Sequence, residues 1–125
     1  MSATARNVSG AAAVDLAAMR ETAVLVLGSE ARSHALPPTP MGLDAVTESL
    51  RKHLERLVVE VELKAARMPK DSVARYCAIA CVGEAQRKLS AGPSPRFGGD
   101  IGHARRLARV LRALCEHYES AADTP

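Results

Sequence analysis

The chain has 125 residues, of which 47% are hydrophobic, with 17 basic and 14 acidic residues and a formal net charge of +3. That length suits one domain, and the apolar share is too high for a disordered chain. The basic surplus is too small for a general polyanion binder, and it is uneven. It sits wholly in residues 69–97, which carry five basic residues against two acidic, while the remaining segments balance.

The chain has no Trp, one Phe (Phe97) and two Tyr (Tyr76, Tyr118), and Ile occurs only at Ile79 and Ile101. Ala, Leu and Val must therefore build the core. Small side chains suit closely approaching helices, whereas strands favour aromatic and β-branched residues. An all-α domain is expected, an antiparallel four-helix bundle over residues 11–125. Residues 1–10 are small and polar and are expected to fray.

The first helix is expected over about 11–27. Its second half, Ala23 to Leu27, is apolar all round and should be buried, with Gly28 as a C-terminal stop. Pro37, Pro38 and Pro40 then make a stiff connector. The second helix, about 42–67, is the clearest. Leu43, Val46, Leu50, Leu54, Leu57, Val61, Ala65 and Met68 recur at steps of three and four, one stripe on a 3.6-residue helix. Val59 and Leu63 point away from that stripe, an i, i+4 pair that marks a second contact surface.

Pro69 ends that helix, and Asp71 is read as the cap of a third over about 71–91. So short a link makes neighbouring helices antiparallel. The third helix is greasy on two sides, with Ala74, Ala78, Cys81, Val82, Ala85 and Leu89 on one and Val73, Cys77 and Ala80 on another. It is either the buried centre or half of an oligomer contact. Gly92-Pro93-Ser94-Pro95 stops it, and Asp100 is placed to cap a fourth helix to about residue 121. Ala104, Leu107, Ala108, Leu111, Leu114, Cys115 and Tyr118 form that helix's inner stripe.

No catalytic, cofactor-binding or metal-binding signature stands out. Cys77 and Cys81 have a ligand-like spacing, yet no second pair exists to complete a zinc site. The three thiols, Cys77, Cys81 and Cys115, read as reduced, buried cysteines of a cytoplasmic protein. No glycine-rich phosphate loop or nucleophile elbow occurs, and no apolar run approaches the ~20 residues that span a bilayer. Arg105, Arg106, Arg109 and Arg112 are the best candidates for following phosphates, but Glu116 is placed to pair with Arg112, and a solvated outer face is preferred. His103, Val110 and His117, seven residues apart, form an apolar flank that one bundle does not obviously cover.

Two stretches carry a resemblance. One is Cys77-Ala78-Ile79-Ala80-Cys81-Val82-Gly83-Glu84-Ala85-Gln86-Arg87-Lys88-Leu89, closing on Ala91-Gly92-Pro93. The other is His103-Ala104-Arg105-Arg106-Leu107-Ala108-Arg109, followed by Arg112 to Glu119. Both resemble an actinobacterial family of short proteins, domain of unknown function 6415, labelled natural-product biosynthesis proteins, over about residues 22–120. The resemblance implies association with secondary-metabolite gene neighbourhoods, and it brings no activity or cofactor. It makes Arg105, Arg106, Arg109, Cys115, His117 and Tyr118 the first positions to test.

The expectation is thus a non-enzymatic interaction or accessory protein, a homodimer or the partner of another protein, associated with natural-product biosynthesis or its regulation. Its candidate surface comprises Val59, Leu63, His103, Arg105, Arg106, Arg109, Val110, Arg112 and His117. The alternatives are a nucleic-acid-associated regulator using the basic third and fourth helices, and a binder of small apolar ligands. The second is disfavoured by the shortage of aromatics that usually line such pockets.

Overall fold

Asp15 decides where the helix over Leu16–Ala31 begins. Its carbonyl accepts the first helical bond, from the amide of Met19 at 3.1 Å, and its carboxylate accepts the amide of Ala18 at 3.0 Å, a donor that a helix start otherwise leaves bare. The computed structural model describes residues 14–31 and 40–123. Residues 1–10, expected to fray, lie outside them. Helix α1 spans Leu16–Ala31, α2 Pro40–Ala66, α3 Val73–Ser90 and α4 Gly99–Asp123, with a 3₁₀ turn at Pro95–Phe97. Among the described residues there is no strand, and the architecture is the expected all-α, antiparallel four-helix bundle.

Several boundaries differ from the sequence reading, each for a local reason. Helix α1 starts at Leu16 with Asp15 as its cap, and residues 11–13 of the expected helix lie outside the described residues. It also passes through Gly28. A glycine stop needs a left-handed backbone, and among the described residues only Gly98 and Gly99 have positive φ. Pro40 belongs to α2 as its first residue, where a missing N–H costs nothing and the fixed φ is already helical. The α3 cap is Ser72, not Asp71: the Ser72 hydroxyl accepts the Arg75 amide at 3.1 Å. Asp100 lies within the first turn of α4, which begins a residue earlier.

Each helix contributes to one core. Leu50, Leu54, Leu57 and Val61 of α2 face Leu107, Leu111, Leu114 and Cys115 of α4, and all are fully buried. Helices α2 and α4 pack against each other and against both neighbours, while α1 and α3 do not touch among the described residues. The cross-section is therefore a rhombus with α2 and α4 on its short diagonal. Arg20 of α1 pairs with Glu119 near the end of α4 at 2.8 Å, and Arg51 of α2 donates to the Leu89 carbonyl near the end of α3 at 3.0 Å. The first contact sets α1 antiparallel to α4 and the second sets α2 antiparallel to α3, as an up-down-up-down bundle requires. Lys64 of α2 lies 4.2 Å from the ring centre of Tyr118, covering the inner stripe of α4 with a cation–π contact.

The turn into α4 is fixed by backbone. Phe97 and Gly99 amides both donate to the Ser94 carbonyl at 2.9 Å, and Arg106 reaches back to the Phe97 carbonyl at 2.7 Å. A methyl group on Gly102 would run into that carbonyl, so the first turn of α4 passes too close for any side chain. Gly28 makes a useful contrast, since a methyl there meets only Val24 Cγ1, at an ordinary 3.5 Å. Gly102→Ala is expected to lower stability by roughly 1–3 kcal/mol through overpacking. Gly28→Ala is expected to raise it by about 0.5–1 kcal/mol, as helix propensity dictates. Urea unfolding of the two variants checks the opposite signs.

Candidate functional site

The structure divides the candidate surface between two faces and the interior. Val59 and Leu63 stand on the outside of α2, each 51% exposed. Arg105, Arg106, Arg109 and Arg112 lie along α4, the outermost being Arg109 and Arg112. His103 and Val110, however, are buried, and His117 is half-buried. The heptad-spaced flank that seemed surplus on an isolated helix is thus largely covered by the chain itself, so the argument for a partner moves elsewhere.

It moves to α3. Only Ala78, Val82 and Ala85 of this helix are buried. Val73 and Tyr76 are each 75% exposed and Ile79 47%, and Cys77 and Ala80 are exposed as well. Helix α3 is therefore a corner of the rhombus, not its centre. The α1 run is also only half covered: Ala23, Val26 and Leu27 are buried, but Val24 and Leu25 are 57% and 58% exposed. An all-round apolar segment cannot bury every side when its helix occupies a corner.

Two furrows flank α3. Towards α2, Glu62, Ala65, Ala66, Arg75, Ile79 and Val82 line one of about 270 Å³. At 100° per residue, Val59 and Leu63 lie beside Glu62 and Ala66 on α2, and Tyr76 lies beside Ile79 on α3. The Arg51–Leu89 bond sets the antiparallel register and brings these residues to the same stretch of the seam. Val59 and Leu63 on α2 and Ile79 and Tyr76 on α3 are thus exposed apolar residues on the two banks of this furrow, which Glu62 and Arg75 line. The Nε of Arg75 is buried with no hydrogen-bond partner.

Towards α4, a groove of about 540 Å³ has Ala80, Cys81, Val110 and Ala113 as its apolar lining and Glu84, Lys88, Arg106 and Arg109 at its polar edge. Glu84 is already matched on its own helix, by Arg87 at 2.6 Å and Lys88 at 2.8 Å. Those two hydrogen bonds, Lys88 first, pull its carboxyl down to about 2. Arg106 gives one nitrogen to a carbonyl, which accepts the bond without cancelling the charge. The edge is therefore net positive. The pair expected between Arg112 and Glu116 does not form; the ion pair in that region is instead Arg20–Glu119, between helices. The Arg20 hydrogen bond lowers the Glu119 carboxyl.

The thiols do not converge. Cys77 is exposed, against the expectation of burial, because α3 takes a corner of the rhombus; Cys81 is half-buried in the α3–α4 groove and Cys115 lies in the core. Burial raises the pKa of both Cys81 and Cys115, which favours their thiol over their thiolate form. Among the described residues no three His, Cys, Asp or Glu side chains gather where a metal ion would sit.

The histidines carry a pH signature. The Thr22 hydroxyl donates to the Ala18 carbonyl at 2.9 Å and so faces His53 Nε2, 3.3 Å away, as an acceptor; Nε2 must carry the proton. Burial lowers the pKa of His53, against a small opposing pull from Asp15. Burial also lowers that of His103, helped by the Arg106 and Arg51 cations and opposed by Asp100. Both bases thus bind protons less readily folded than unfolded. Their contribution to stability is complete above about 6.5 and declines as pH falls from there through the folded values. Unfolding midpoints in urea are expected to drop between pH 7 and pH 5. His103→Gln should flatten the drop, since Glu84 and Glu119 titrate only below that window.

Comparison with known families places the chain. A family profile matches residues 17–123, nearly all of the sequence. The chain belongs to the family of unknown function DUF6415. Comparison with curated proteins returns no match, nor does comparison with solved structures. Among the described residues of this DUF6415 protein, no helix is long and apolar enough to cross a membrane.

Proposed function

We propose that this DUF6415 protein is a non-enzymatic interaction protein that works as a homodimer, joined through the α2–α3 face. The observation that carries this reading is the exposure of Val59, Leu63, Ile79 and Tyr76 on the two banks of one furrow. Large apolar patches on soluble proteins usually mark interfaces. The furrow is also self-complementary in charge, with Glu62 on its α2 side and Arg75 on its α3 side. A two-fold axis through the seam would set each Glu62 against the other copy's Arg75. Sedimentation equilibrium at tens of micromolar tests the reading. A species of twice 13.2 kDa supports it, and a species of 13.2 kDa throughout overturns it.

The pathway part of the reading is an accessory role in natural-product biosynthesis or its regulation, in a cytoplasmic setting. It is supported by the resemblance to actinobacterial proteins carrying that label. Deleting the gene and profiling secondary metabolites by mass spectrometry tests this part. An altered profile supports it and an unchanged one counts against it.

A further inference from the structure

The second flank of α3 has a different chemistry, and it points to a different occupant. From Ala80 to Lys88 the groove follows more than two turns of α3, roughly 12 Å at 1.5 Å per residue. Its lining is aliphatic and small, and no aromatic residue contributes. Ala80 and Ala113 leave room that larger side chains would fill. Pockets for small organic molecules are usually enclosed and aromatic-lined. An open, aliphatic channel between two parallel-lying rods fits an added helix better. Such a helix seats apolar residues at i, i+3, i+4 and i+7 between the rods, and its flanks meet the groove's edges.

The edges set the sign of those flanks. Lys88, Arg106 and Arg109 border the groove, and its single acid, Glu84, is occupied by Arg87 and Lys88. The whole net charge of the chain, +3, resides in the segment 69–97 that supplies one wall. We infer that the α3–α4 groove receives an amphipathic helix of a partner protein whose apolar stripe is flanked by Asp and Glu. Two copies of the groove repel each other, so self-association does not fill it. Because Ile79 and Arg75 turn to the α2 side of α3 while Cys81 and Lys88 turn to the α4 side, a dimer centred on the α2–α3 furrow leaves the groove open. Failure of either reading leaves the other standing.

The test uses the full chain, isotope-labelled, and three probes. One is a synthetic helical peptide with Leu at i, i+3, i+4 and i+7 and Glu on both flanks. The second has the same sequence with Lys replacing every Glu, and the third is a short DNA duplex. The acidic peptide is expected to shift the amide signals of Ala80, Cys81, Val110 and Ala113 and to slow alkylation of Cys81 but not of exposed Cys77. Its affinity should fall about tenfold in Arg109→Glu and in Ala113→Glu, with circular dichroism checking that each variant is folded. Equal binding of both peptides overturns the inference, as does binding of the duplex alone. Absence of groove shifts at millimolar acidic peptide also overturns it.

Discussion

Glutamate at Val59 and Leu63 is expected to convert the dimer to a monomer without unfolding it. Both side chains are half exposed in the isolated chain, so the fold should change in stability by no more than about 0.5 kcal/mol. In the proposed dimer they lie within the contact, where an unpaired carboxylate is costly to bury. A two-fold interface meets each substitution twice. The dissociation constant should rise more than a hundredfold, equivalent to about 3 kcal/mol. Thermal melting should be unchanged once the concentration-dependent part is removed. The same exchange at Val24 and Leu25, also exposed but on α1, should leave the dimer intact. If only the α1 variant dissociates, the interface has been placed on the wrong helix.

Leu107→Ala is expected to have the largest effect on folding. Leu107 is fully buried on the α2–α4 diagonal, where both helices that meet every other element pack on each other. Removing a buried leucine leaves a cavity and costs about 2–5 kcal/mol. A domain of this size has roughly 5–15 kcal/mol in all. One such change therefore consumes a large part of the reserve, and adding Leu57→Ala on the facing helix should prevent folding at ambient temperature. Tyr76→Ala, 75% exposed, should cost under about 0.5 kcal/mol in the monomer. Urea titrations of the three variants under monomeric conditions rank them.

The inner stripes of α2 and α4 were legible because helical periodicity alone places them. Leu50, Leu54, Leu57 and Val61, and Leu107, Leu111 and Leu114, are all buried as their spacing requires. What periodicity does not contain is which helix takes a corner of the rhombus. That choice exposes Val24, Leu25 and the outer side of α3, and it covers His103 and Val110. Caps were read one residue off for a related reason. Asp71 and Ser72 have equal capping chemistry, and the turn closed by the Ser72 amide on the Pro69 carbonyl selects between them. Likewise Arg112 has a partner at helical spacing, yet the pair that forms is Arg20 with Glu119, ninety-nine residues apart. The α3–α4 groove has no local signature, since Ala80 and Ala113 become neighbours only when both helices are docked.

The α2–α3 contact is tested most directly by following amide signals through a dilution series. On going from millimolar to micromolar protein, the account predicts shifts concentrated at Val59, Leu63, Ile79, Tyr76 and Arg75, with the core of α2 and α4 still. Spectra that do not change with concentration and report a monomer would contradict it, as would shifts gathered on α1 or on the arginines of α4.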